Sequence, residues 1–141
     1  MKLVIGSDHA GFQYKERMKF YLSEKGYEVN DIGTNNNESC DYPLYAKKLC
    51  EVIAGNKADF GILICGTGIG MSMVANKQKG IRAAVCSDLK SVEFTRLHNN
   101  ANVLCLGERI IDFELAIELV EKFLNTGFIG GKHQDRIEMF E

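Results

Sequence analysis

Ile62-Leu63-Ile64-Cys65-Gly66-Thr67-Gly68-Ile69-Gly70 is the stretch on which the reading of this chain turns. A short apolar run ends in a cysteine and passes into three glycines that alternate with Thr67 and Ile69. Behind them, residues 71–77 hold no glycine or proline and can start a helix. A buried strand, a tight turn and a helix in that order make a βα unit. Alternate glycines let successive N–H groups converge on one spot. The amino end of a helix behind them adds partial positive charge, so the turn can cradle an anion or a developing oxyanion. Cys65 stands at the lip, where such donors can hold a thiolate.

The same alternation continues in both directions. Residues 2–6 read as a strand, and residues 12–25 as a helix with Tyr14, Met18, Tyr21 and Leu22 on one face. Gly26 caps that helix and residues 27–32 form a second strand. Tyr42-Pro43 opens a second helix, with Tyr45, Leu49, Val52 and Ile53 inward, and Pro43 suits its first turn. Strands follow at 60–65, 81–86 and 102–106, and a helix over 70–79 stops at Gly80. Asp88 is placed to cap a fourth helix. Asp112 begins a fifth, with Leu115, Leu119, Val120, Phe123 and Leu124 buried and Gly127 closing it. Gly130-Gly131 forms a hinge before a polar tail. Five strand–helix repeats with short apolar strands predict a three-layer α/β/α sandwich on a five-stranded parallel sheet, Rossmann-like and doubly wound. In such sheets ligands bind beyond the carboxyl ends of the strands, where Asp8, Cys65 and Asp88 are expected.

Composition narrows the function. The 141 residues fit one domain, 1–141, with the tail at about 130–141 as its last feature. A net charge of −2 gives no support to nucleic-acid binding, and no apolar run is long enough to span a membrane. The apolar run at the start is too short for a signal peptide. Cys40, Cys50, Cys65, Cys86 and Cys105 are odd in number and include no C-x-x-C, which argues for reduced thiols in the cytoplasm. Their spacing with His9, His98 and His133 lacks a zinc rhythm, so no metal is expected.

Each candidate also has a plainer reading. The glycine loop is neither G-x-G-x-x-G nor a P-loop, and it can serve tight packing alone. A cysteine ending a buried strand is commonly a small hydrophobe, and that reading is preferred for Cys86 and Cys105. Asp8-His9 can be a capped polar turn, and His98-Asn99-Asn100 a helix end whose histidine faces the helix carboxyl terminus. Lys132, His133 and Arg136 can be a solvated tail. If helical, they set two cations at i and i+4, a grip for a phosphate.

Taken in order, the motifs resemble the ribose-5-phosphate isomerase B family, within a wider group that includes galactose-6-phosphate isomerase subunits. The likeness covers nearly the whole chain. It rests on G-S-D-H-A-G at 6–11, D-Y-P at 41–43, I-C-G-T-G-I-G at 64–70 and A-N-K at 75–77. G-I-R at 80–82, H-N at 98–99, N-V-L at 102–104, G-E-R at 107–109 and G-G-K-H-Q-D-R at 130–136 complete it. The resemblance implies cofactor-free interconversion of ribose 5-phosphate and ribulose 5-phosphate through an ene-diolate, in the non-oxidative pentose phosphate pathway. It implies Cys65 as the base, Thr67 as an aid to proton movement, and His98 as the acid–base group that opens the furanose. It assigns the amides of Gly66, Gly68, Ile69 and Gly70 to the developing oxyanion. Asp8 then holds sugar hydroxyls, and His9, Lys132 and Arg136 hold the phosphate. Tyr42, Asn99 and Arg109 complete the site. It further implies a homodimer with shared sites, or a tetramer built from it.

Two points separate this chain within the group. Lys132 stands where arginine is common, a point charge in place of a bidentate fork. Met71 occupies the place of an alternative glutamate base, so the chain falls in the cysteine branch. An isomerase of six-carbon aldose phosphates such as allose 6-phosphate is the near rival. A nucleotide-binding module is the distant one, with Asp88 about twenty residues past Gly68 as its ribose-binding acid.

Overall fold

A computed structural model describes residues 1–141. Five parallel strands, β1 (Lys2–Ser7), β2 (Glu28–Asp31), β3 (Phe60–Cys65), β4 (Ala83–Val85) and β5 (Val103–Gly107), form one sheet. Their spatial order is β2-β1-β3-β5-β4. Six helices accompany them: α1 (Phe12–Glu24), α2 (Tyr42–Ala54), α3 (Ile69–Ala75), α4 (Leu89–Asn99), α5 (Phe113–Asn125) and α6 (Lys132–Glu138). The expected doubly wound sandwich is the observed fold.

Period-two alternation on the strands builds both cores at once. Leu3, Ile5, Ile62, Ile64, Leu104 and Leu106 face one side, where Met18 and Leu22 of α1, Val92 of α4 and the stripe Ala116, Leu119, Val120, Phe123 of α5 cover them. Val4, Leu63, Cys65, Val103 and Cys105 face the other, under Ala46, Leu49, Ile53 of α2 and Met71, Ala75 of α3. A fully buried side chain of this size stabilises by about 1.5–3 kcal/mol, so β1, β3 and β5, covered on both faces, are the firmest part. No helix is long and apolar enough to cross a membrane.

Differences from the sequence reading have local causes. Helix α3 stops at Ala75 rather than 79, and β4 shrinks from six residues to three. The Asn76 side chain takes both backbone groups of Ala83, at 2.9 and 2.8 Å, and Asn102 Oδ1 accepts the Arg82 N–H at 2.8 Å. These side chains replace the outer ladder. Helix α5 ends at Asn125, with Thr126 extended, before reaching Gly127. The tail beyond Gly131 is no open strand of chain but the helix α6.

One element of the fold has no counterpart in the apolar pattern. Lys15 is fully buried, yet its Nζ reaches Asp31 at 2.6 Å and Glu16 at 2.7 Å. Lys19 completes the network on the same two carboxylates, at 2.9 Å and 3.2 Å.

Candidate active site

The carboxyl edge of the sheet gathers the first set of candidates. Asp8 follows β1, and its Oδ1 accepts the N–H groups of Ala10 at 2.9 Å and Gly11 at 3.1 Å. The capping role is real, and only one carboxylate oxygen is spent on it. His9 comes next, and its Nδ1 accepts the Cys40 N–H at 3.2 Å. With Nδ1 an acceptor, the neutral ring carries its proton on Nε2, which stays available as a donor. The Asp8 N–H bonds Ile64 O at 3.3 Å, so this turn sits directly beside the end of β3.

Cys65 ends β3 and is almost fully buried, 6 % exposed. Its Sγ accepts the Gly68 N–H at 3.1 Å. Gly68 has φ +79°, and a Cβ there would lie 2.9 Å from the Leu106 carbonyl carbon and 3.0 Å from Val85. Glycine alone therefore turns this amide back onto the sulfur. Thr67 is exposed, and its Oγ1 accepts the Ile69 N–H at 3.2 Å, leaving the hydroxyl proton free to donate. The amides of Gly66, Thr67 and Gly70 have no acceptor within the chain. The other two amides expected from the loop have partners in this structure, Gly68 on Cys65 and Ile69 on Thr67.

The next loop pins this one. Glu108 N–H bonds Cys65 O at 2.9 Å, and Arg109 N–H bonds Gly66 O at 3.0 Å. The Arg109 guanidinium lies over Gly66, with Nη1 3.1 Å from where a Cβ would stand. Tyr42, at the start of α2, lays its ring against Gly70, 2.7 Å from the corresponding point. Asp8, His9, Tyr42, Cys65, the loop 66–70 and Arg109 thus form one cluster.

Among the thiols in the sheet and its helices, Cys65 is the one with a donor at its sulfur. Burial pushes Cys50 and Cys86 up to about 11, and burial carries Cys105 well above the usual thiol range. Those three remain protonated small hydrophobes at neutral pH.

The remaining candidates are elsewhere. Helix α4 starts at Asp88, just past β4, and runs back against the strands, so His98 and Asn99 end at the amino edge. Eleven helical residues span about 16 Å, which carries His98 away from the carboxyl edge at which Cys65 lies. Lys132 and Arg136 share a face of α6, which packs on α4. There His133 stacks on His98 with ring centroids 4.3 Å apart, and Phe94 stacks on the far face of His98 at 5.0 Å. The candidates therefore fall into two groups at opposite edges of the sheet. Asp88 is engaged as the α4 cap, Oδ1 accepting the Ser91 N–H at 2.8 Å and Oδ2 the Ser91 hydroxyl at 2.9 Å.

Sequence reading missed two partners, the Cys40 amide on His9 and the ring of His133 on His98. Neither pairing has a sequence signal, because 31 residues separate the first pair and 35 the second. Cavity size does not locate the site either. The largest concavity, about 890 Å³, lies at the amino edge beside Asp59, Lys79, Arg82 and Asn102 and contains none of the candidates.

Fold and crevice together define a class: a parallel α/β sandwich with a thiol held in an amide-lined turn, built for moving protons beside a developing oxyanion. The ribose/galactose isomerase family model matches residues 3–140, and the chain belongs to that family. Ribose-5-phosphate isomerase B of Escherichia coli is 47% identical over 137 residues, covering 97% of this chain and 92% of that protein. The solved ribose 5-phosphate isomerase of Thermotoga maritima is 53% identical, with a TM-score of 0.97, over 99% of this chain and 96% of that one. The Clostridium thermocellum ribose-5-phosphate isomerase B superposes with a TM-score of 0.98 at 46% identity, over 99% and 94% of the two chains.

Proposed function

We propose that this chain interconverts ribose 5-phosphate and ribulose 5-phosphate, in the cytoplasm, within the non-oxidative pentose phosphate pathway. The observation that carries the reading is the Cys65 sulfur, 3.1 Å from the Gly68 N–H in a turn with three uncommitted amides. The Cys65 thiolate takes the proton from C2 as the C2–H electron pair forms C1=C2, and the C1 carbonyl pair moves onto O1. The amides of Gly66, Thr67 and Gly70 meet that oxyanion. Thr67 donates its hydroxyl proton toward O1 and recovers one from O2. Cys65 returns its proton to C1 as the carbonyl forms at C2. Before this, His98 opens the furanose: it takes the proton of the anomeric O1 hydroxyl and supplies one to the ring oxygen as the C1–O4 bond breaks.

Asp8 holds sugar hydroxyls through its second oxygen, while His9, Lys132 and Arg136 hold the phosphate, with Asn99 and Arg109 completing the contacts. In one chain the Cys65 and His98 groups lie at opposite edges of the sheet. A two-fold dimer resolves this by pairing the Cys65 half of one copy with the His98 half of the other, twice. Exposed apolar side chains near the first half, Ile69, Met73, Val85 and Ile110, support such a contact.

A coupled assay of the purified protein in EDTA, with ribose 5-phosphate and allose 6-phosphate as alternatives, tests the reading. Turnover of the pentose phosphate, unchanged by the chelator, is expected. Cys65→Ala should abolish proton exchange at C2 while phosphate binding persists, and retained exchange would remove Cys65 as the base.

A further inference from the structure

The second half-site contains a group that the chemistry above leaves without a task. The His133 ring lies 10° from parallel with that of His98, and the Phe94 ring lies 14° from parallel on the other face. His98 is thus stacked on two rings at once. No hydrogen bond within the chain orients that imidazole, so the two stacked faces are what set its plane. We propose that His133 is a positioning residue that holds the His98 imidazole in the plane needed for furanose opening.

This inference rests on the isomerase reading of the same site. Its support is mechanical as well as geometric. The segment leading to α6 is bolted to α4: Arg96 Nε donates to Thr126 O at 3.1 Å, and Ile129 N–H to Leu97 O at 3.1 Å. The Arg96 Nη1 also donates to Ala101 O at 2.7 Å and Asn100 Oδ1 at 2.9 Å. His133 N–H closes the turn on Gly130 O at 3.2 Å. Both rings therefore hang from one rigid unit. Desolvation, and then the charges of His98, Lys132 and Arg136, hold His133 below the usual histidine range. The stack itself is geometric: His133 offers a π-face to the His98 ring. Ring opening demands a proton taken at O1 and one given at O4, two sites in fixed directions. A ring free to rotate about χ2 would miss one of them, and misplacement by about 1 Å can cost on the order of 100-fold in rate.

The test compares ribose 5-phosphate with 4-deoxyribose 5-phosphate, which has no O4 and cannot close a furanose. His133→Ala is expected to lower kcat/KM for ribose 5-phosphate by about 10- to 100-fold, and for the 4-deoxy sugar by no more than about threefold. His133→Phe, which keeps the stack, should restore most of the loss, whereas His133→Gln, of similar bulk but without a ring, should not. The proton NMR line of His98 Cε1–H should move downfield in the Ala and Gln variants as the ring-current shielding of His133 is lost. Equal losses on both sugars, or a Phe variant as poor as Gln, would overturn the positioning role and point to phosphate contact instead. Wild-type protein inert toward ribose 5-phosphate would overturn both readings, so the two failures are distinguishable.

Discussion

Mixing two inactive variants should restore activity if each site draws on two chains. Cys65→Ala removes the base at the carboxyl edge, and His98→Asn removes the ring-opening group at the amino edge. Each variant alone should retain less than about 1 % of wild-type turnover of ribose 5-phosphate, since general acid–base groups contribute ~10²–10⁴-fold. Helix α4, about 16 Å long, carries His98 to the edge of the sheet opposite Cys65. A site completed by a second copy therefore pairs Cys65 from the His98→Asn chain with His98 from the Cys65→Ala chain. When equal amounts are unfolded together and refolded, half of the two-fold dimers are mixed, and each mixed dimer carries one intact site. Turnover should then rise to about one quarter of wild type. The coupled assay on the refolded mixture, against each variant refolded alone, reads this directly. A mixture no more active than the mean of its two parents would refute the shared site.

Other perturbations test the parts. Gly68→Ala forces a side chain into a left-handed conformation and against the Leu106 backbone, so a loss of about 2–4 kcal/mol in urea unfolding is expected. A loss under about 0.5 kcal/mol would show that the turn is not held as described. Asp31→Asn leaves the buried Lys15 poorly paired and should cost about 3–5 kcal/mol, while Lys15→Met leaves Asp31 with Lys19 and the Gly33 N–H and should cost less. Burial alone would raise Asp31, but hydrogen bonds from Lys15, Lys19 and the Gly33 N–H outweigh it and hold the carboxyl below its ordinary value. Lys15 first, then Lys19, does the same for Glu16 against its burial. Both folded-state values are depressed, so their stabilisation is complete above the unfolded carboxylate range, about pH 4, and is lost as pH falls through the folded values. Acid titration of thermal stability should show that loss in the wild type and much less of it in Asp31→Asn. Cys40→Pro removes the N–H that sets the His9 tautomer and should raise KM by about fivefold, whereas Cys40→Ala should stay within about twofold.

The architecture was legible because each strand is a short apolar run and each helix carries its own cap or terminator. Asp88 and Asp112, for instance, cap α4 and α5 through Ser91 and Leu115 N–H, as their positions before the helices suggest. Helix α6 was not legible as a certainty, since its seven residues bury only Ile137 and carry no side-chain cap at Gly131. Lys15 escaped for a different reason. It shares the inward face of α1 with Met18 and Leu22, and hydropathy has no way to signal a cation whose partner lies on the following strand. The separation of the site was, in contrast, implicit in the topology. A histidine that ends the helix of a βα unit sits at the amino edge of the sheet, away from a cysteine that ends a strand. The stacking of His133 on His98 depends on how the last segment folds back over α4, which no local pattern encodes.

The floor of the crevice is backbone laid on backbone. A Cβ on Gly11 would stand 2.3 Å from Ile64 O, and one on Gly107 2.7 Å from Thr67 O. Nothing there can swing aside, so the surface beneath the reacting carbons behaves as a casting rather than as a set of adjustable parts. Evolution or engineering toward a longer or shorter sugar phosphate is thereby confined to the walls: Tyr42, Arg109, and the second half-site, whose side chains turn on ordinary single bonds. Cys65 and Thr67 are thus mounted on close-packed backbone that leaves them little room to shift.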